Sequence, residues 1–360
     1  VLSGETQLTR LPCNFCAMKK SLLLLTLILT GGICSRACDL CGCYTPQLET
    51  MPGMEANVSP QWWNGFYGAA AEQFTYFGTT QEDGHEVSNP TGQYEASSIT
   101  QLVAGYTIND RFALQFNGPL IYRQFKRPEG FAIDRGTESG LGDISLLLKT
   151  VAFHFASPGQ REFDVSGKNP VAIEHEPDFT ISAVLLTGLK LPTGDSSRLE
   201  EEFHEISVPG APRSGIHGHD LTLGTGSVDG IFGAQGSLRY KNFFAEENIQ
   251  FTLRGDGAHQ YHFANDLTWE GGPGYYFVRN SQVIAGLQFL ISGEHKDVDR
   301  FRGKPAEDTG ITSVFVGPRL VASRGRWSAD LDVDLPVSID NTAFQVVPDY
   351  RVRGGVSFHF

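Results

Sequence analysis

The sequence predicts an all-β protein: a transmembrane antiparallel β-barrel of about twelve strands, with short periplasmic turns and long extracellular loops. Three observations predict it. Apolar residues recur at every second position in segment after segment. Tight turns alternate with long polar connections, and aromatic residues gather at the tight turns.

The chain begins with a targeting pattern. Residues 1–17 have no part in it and read as an over-extended gene start. Residues 18–37, "MKKSLLLLTLILTGGICSRA", place Met18 and two lysines before an apolar run from Leu22 to Leu29, then a small-residue site ending at Ala37. That is the layout of a secretory signal peptide. The run falls short of the roughly 20 residues a membrane helix requires. Residues 38–63 read as a periplasmic segment bearing cysteines, and 64–360 as the barrel. Past Ala37 no other long apolar stretch occurs, so a membrane-spanning form has to be a closed barrel. The net charge of −13 excludes general nucleic-acid binding, because the phosphate backbone would repel it.

Candidate strands lie near 66–78, 94–107, 111–125, 141–154, 178–190, 227–240, 243–254, 264–278, 282–293, 310–322, 326–336 and 350–360. Many run about ten residues, close to what a tilted strand needs to cross a bilayer. "RWSADLDVDLPV" is the clearest, with Trp327, Ala329, Leu331, Val333 and Leu335 on one face and Ser328, Asp330, Asp332 and Asp334 on the other. In the strand through Ile249 the alternation turns Glu247 toward lipid. Either a bulge between Phe244 and Asn248 corrects the phase, or Glu247 lies near the interface.

Tight turns fall before Arg111, at Lys241-Asn242, at Arg279 to Ser281 and at Ser323 to Gly325. With both barrel ends periplasmic, all four lie on the periplasmic side. The opposite side carries open loops such as "TTQEDGHEVSNP", "KRPEGFAIDRGTESG" and the long acidic stretch ending in "GIHGHD". The connection at 155–177 is long where a tight turn is expected. Rings flank the tight turns: Tyr106 and Phe112, then Tyr240, Phe243 and Phe244, then Tyr275, Tyr276 and Phe277, then Trp327. Amphipathic rings at one depth make an interfacial girdle.

The last segment, "PDYRVRGGVSFHF", turns Val352, Gly354, Val356, Phe358 and Phe360 to lipid. Val356, Phe358 and Phe360 resemble the terminal signal read by the barrel assembly machinery. That machinery and outer-membrane lipid are therefore expected partners, alongside a small-molecule solute.

Fourteen charged residues fall on the polar face of their strands and are the candidate pore lining. They are Asp143, Lys149, Lys190, Asp229, Arg239, Arg254, Asp266, Glu270, Arg319, Asp330, Asp332, Asp334, Arg351 and Arg353. Opposed charges across a pore set ionic selectivity. The same residues also suit a salt-bridged network that fills a narrow barrel.

Cys38, Cys41 and Cys43 stand at the start of the mature chain in an oxidising compartment. A disulfide with a spare thiol, acylation of Cys38 and a soft-metal site all fit them. Ser35 occupies a place where a lipobox carries an aliphatic residue. His217 and His219 in "GIHGHD" would share a side if this is a strand, a spacing two metal ligands can use. Neither a G-x-S-x-G nor an H-E-x-x-H motif occurs, so no catalytic residue is assigned. No cofactor is required.

Three stretches, "GLGDISLLLKT" at 140–150, "LTGLKLPTGD" at 186–195 and "LGTGSVDGIFGAQGSLRY" at 223–240, resemble the bacterial outer-membrane transporters of the MetA-pathway of phenol degradation family. The resemblance runs from about Gly65 to the end of the chain. It implies passage of small solutes, aromatic or hydrophobic ones included, across the outer membrane. The expected function is therefore a passive channel with a charged lumen. The alternatives are a metal-handling barrel using the cysteines and loop histidines, and a lipid-modifying enzyme built into the barrel wall.

Overall fold

The computed structural model describes residues 65–157, 161–164, 171–174, 177–204, 208–280 and 282–360. The expected gene-start stretch, the signal peptide, the 38–63 segment and Cys38, Cys41 and Cys43 lie outside the described residues.

Twelve long strands form a closed antiparallel barrel. They are β1 (Phe66–Glu82), β2 (Tyr94–Asn109), β3 (Phe112–Glu129), β4 (Ile144–Ala156), β5 (Phe179–Leu191) and β6 (Asp229–Tyr240). The second half comprises β7 (Phe243–Leu253), β8 (Asp266–Arg279), β9 (Val283–Lys296), β10 (Ile311–Arg324), β11 (Trp327–Asn341) and β12 (Phe344–His359). Each strand pairs with its sequence neighbour, and β12 closes on β1 from Tyr67↔His359 to Glu82↔Phe344. Closure leaves no barrel edge unpaired, the condition for a sheet to sit in hydrocarbon.

Alternation explains the wall. Along β11, Leu331, Val333 and Leu335 are exposed outward while Asp332 and Asp334 are buried within. In β12, Val356 is exposed, Arg351, Arg353 and Ser357 are buried, and Phe360 lies exposed beyond the strand end. The β6–β7 register runs unbroken from Gly230↔Leu253 to Tyr240↔Phe243, so no bulge rephases Glu247. Its side chain lies on the outer wall, against Gly271 of β8.

Several expectations are corrected. Strands extend well beyond ten residues, β3 to 18, because ladder pairing continues past the apolar belt. The loop expected at 126–140 is a hairpin in which Ala132–Leu141 pairs with the upper part of β3. Residues 337–349, outside the candidate strands, belong to β11 and β12, and only Thr342 and Ala343 join them. That tight turn lies at the end with the long connections. Phe244 and Tyr276 do not join the girdle. They stack inside the barrel with ring centroids 4.2 Å apart, because adjacent residues of a strand face opposite ways. Phe243, Tyr275 and Trp327 stay outside, all exposed near the turns.

The long 155–177 connection contains two short paired strands, Arg161–Asp164 and Val171–Glu174. No helix among the described residues is long and apolar enough to cross a membrane.

Candidate lumen and mouth

The inner wall is built wherever alternation turns a polar side chain inward. At the upper ends of β4 to β8, one cluster joins three carboxylates to two cations. Lys190 Nζ lies 2.8 Å from Asp229 and 3.3 Å from Asp143. Arg254 contacts Asp229 at 2.9 Å and also pairs with Asp266. All five side chains are almost wholly buried. Burial of this kind is tolerated only where each charge finds an opposite one.

A second cluster lies across β8 to β12. The β11–β12 register sets Asp332 opposite Arg353 and Asp334 opposite Arg351. Arg353 donates from Nε to Asp332 at 2.9 Å, from Nη1 to Glu270 at 2.6 Å and from Nη2 to Asp334 at 2.8 Å. Arg351 lies 3.5 Å from Glu294, and Arg319 lies 3.4 Å from Asp330. Ser292 donates to Asp334 Oδ2 at 2.9 Å. Asp334 Oδ1 is buried and accepts no hydrogen bond among the described residues. Toward the periplasmic end the inner wall carries Lys149 and Arg239, the latter donating to the Pro177 carbonyl at 3.0 Å.

The mouth holds a feature that the sequence reading missed. The described end of the connection between β5 and β6 does not stand out as an open loop. Its part from Ser214 to Thr225 folds into the barrel as a strap. Ile216 and Leu221 pack with Phe77, Phe125 and Val346, while Leu223 packs with Ile99 and Ile121. Those apolar side chains supply the reason for the inward fold, since exposed they would lose about 1.5–3 kcal/mol each. Main-chain bonds then fix the depth: Val346 N donates to Gly215 O at 3.1 Å, and Gly215 N to Gln93 Oε1 at 2.8 Å. Thr225 N donates to Asp143 Oδ2 at 2.9 Å, tying the strap to the first cluster.

Arg123, fully buried on β3, donates to the carbonyls of Asp220 and Thr222 and lies 3.5 Å from Glu95. In "LIYRQF" both faces of the strand carry apolar residues, so alternation alone does not single Arg123 out. A polar residue two positions from each of two inward apolar ones, Ile121 and Phe125, was the available signal.

His217 and His219 lie in the strap. The expected strand there is instead a one-turn helix at Gly218–Leu221, with His217 just before it. Their rings stack at 5.6 Å, but each faces its own carboxylates. His217 Nε2 lies 3.1 Å from Asp308; His219 Nδ1 lies 2.9 Å from Glu202, and its Nε2 3.3 Å from Asp220. Burial disfavours the charged His219 ring, yet Asp220, Glu202 and Asp308 outweigh it and push the ring up to about 10. Burial likewise opposes ionisation of Glu202, but the charged His219 beside it brings the carboxyl down to about 2. Among the described residues no three His, Cys, Asp or Glu side chains converge as a metal site. The histidines serve as clamps on the strap.

No family model and no curated protein matches the chain. Among solved structures, an outer membrane channel from Pseudomonas putida F1 is similar at a TM-score of 0.51 and 14% identity, over 87% of this chain and 100% of that one. The β domain of the Bordetella autotransporter BrkA reaches 0.41 at 11% identity, over 82% and 99%. The translocator domain of NalP from Neisseria meningitidis reaches 0.37 at 11% identity, over 86% and 91%. The first likeness shows the fold, that of an outer-membrane β-barrel. The other two superpose too loosely to carry an argument.

Proposed function

We propose that this chain is an outer-membrane channel through which small solutes diffuse along a charged inner wall. The single observation that carries the reading is the closed barrel whose outer wall is mainly apolar while its inner wall bears charged side chains, ion-paired in two buried clusters. A barrel of this strand number stands between filled eight-stranded barrels and open porins of 16–18 strands. The strap narrows the mouth further, so the reading is of a selective passage rather than a wide pore.

The fold favours the outer membrane as the location, with the amino-terminal signal delivering the chain across the inner membrane. Val356, Phe358 and Phe360 then serve as the strand read by the assembly machinery, and Asp143 through Arg353 as the lining. The family resemblance adds aromatic and hydrophobic compounds as the solute class. The charged wall restricts these to molecules carrying a polar or ionised group, because a plain hydrocarbon gains nothing from displacing water there.

The test is refolding of residues 38–360 into detergent, insertion into planar bilayers and recording of single-channel current. Discrete conductance supports the channel. A folded barrel that stays silent defeats it.

A further inference from the structure

The inner wall of β8 to β12 carries more negative charge than its own arginines neutralise. Among the described residues five carboxylates, Glu270, Glu294, Asp330, Asp332 and Asp334, gather with three guanidiniums, Arg319, Arg351 and Arg353, a formal excess of two negative charges. Three of these carboxylates meet on one guanidinium: Arg353 donates to Asp332, Asp334 and Glu270. Asp334 is 0% exposed, and its Oδ1 meets no hydrogen-bond donor among the described residues. The neighbouring cluster tilts the same way, with Asp143, Asp229 and Asp266 against Lys190 and Arg254. A buried carboxylate that shares its counter-charge with two others is costly, and a mobile cation beside it offsets the cost.

We infer that the lumen selects cations, with Asp334 and Glu270 forming a subsite for a small monovalent cation or the protonated amine of an organic solute. This rests on the channel reading and names its substrate class. An ammonium group suits the subsite because it brings hydrogen-bond donors to an acceptor that lacks one. The carboxylates act through their summed field and through hydrogen bonds, as charged rings do in cation channels, and not as a coordination shell. Arg353 holds the subsite together: one guanidinium bonded to three carboxylates spaces them and leaves a net formal charge for the solute to complete.

The experiment is the reversal potential of the refolded barrel in a planar bilayer under a KCl gradient, repeated with ethylammonium chloride. The expected result is a several-fold preference for potassium over chloride, with ethylammonium also carrying current. Asp334→Asn and Glu270→Gln each bring the permeability ratio toward one. Glu247→Gln, on the outer wall, leaves it unchanged. Heat-modifiable gel migration shows which variants have folded, and Glu270→Gln keeps the test alive if Asp334→Asn does not fold. Anion preference, or folded variants that retain the full cation preference, overturns the inference and leaves the channel standing. A folded wild-type barrel without conductance overturns the channel and the inference together.

Discussion

Arg123 donates from Nη1 to the main-chain carbonyl of Asp220 at 2.6 Å, across the barrel mouth from strand to strap. A fully buried guanidinium bound to two carbonyls and lying beside Glu95 makes the strap part of the barrel wall rather than a loose lid. Replacement by a shape-matched neutral side chain, Arg123→Met, removes both bonds and takes the guanidinium from beside Glu95. The expected outcome is a larger and noisier single-channel conductance than wild type, with the barrel still folded by gel migration. An unchanged conductance would show that the strap keeps its place without Arg123.

Lys190 bridges two carboxylates, Asp143 and Asp229, in a buried site. Lys190→Met leaves both buried with one partner fewer, and removal of one member of a buried pair costs about 3–5 kcal/mol. The midpoint of urea unfolding followed by tryptophan fluorescence should fall accordingly. A double variant, Lys190→Met with Asp143→Asn, should recover part of the loss.

The strap's pH response follows from its clamps. The raised pKa of His219 makes its contribution complete below the ordinary value of 6.5, and the contribution drains away as pH climbs through about 10. Glu202 is lowered, so its contribution is complete above the ordinary 4.5 and is lost as pH falls through about 2. Together they hold the strap most firmly between those two ordinary values and keep it seated through neutrality. Conductance measured across pH should therefore stay flat near neutrality, rising only toward strong alkali or strong acid. His219→Asn removes the alkaline limb and weakens the acid limb with it, because the His219 charge is the main cause that lowers Glu202.

Gly105 lies under the ring of Tyr67, whose hydroxyl donates to Gln115 Oε1 at 3.0 Å. A methyl group at Gly105 would occupy the ring's place. Gly105→Ala is expected to cost about 1–3 kcal/mol through overpacking, read as a lower unfolding midpoint. Tyr67→Ala combined with Gly105→Ala should show less than the sum of the two single losses.

Glu247 places a carboxylate on the lipid-facing wall with glycine beneath it. Glu247→Leu should stabilise the barrel in bilayers by up to about 2 kcal/mol, since acidic side chains on that face cost less than the basic ones yet still cost. Equal stability of the two forms in lipid, measured by urea titration in vesicles, would mean that the carboxylate is satisfied in place.

The barrel was legible because its signal is local and repeated. Trp327 to Leu335 declare their two faces with no reference to the rest of the chain, and several further segments do the same. Asp332 and Arg353 could be placed on facing sides of one hairpin for the same reason. The strap was not legible. Ile216, Leu221 and Leu223 have no period, and their destination is set by Phe77, Phe125 and Ile121 on strands far away in sequence. Phe244 and Tyr276 were misplaced because nearness to a turn was read before strand phase. The His217–His219 spacing suggested a shared ligand only on the assumption of a strand, and the one-turn helix removes that assumption.

Tyr67 and His359, whose rings stack at 5.4 Å, join the first strand of the wall to the last. Every other seam of the barrel joins strands adjacent in sequence, so it can zip as a growing series of hairpins. This one has to wait. Until β12 arrives, β1 presents a bare row of amides and carbonyls beside an oily face, the combination that recruits unwanted strands from other chains. A chain made from its amino end therefore carries its most adhesive edge for the longest time, from the moment β1 forms until the final residues are in place.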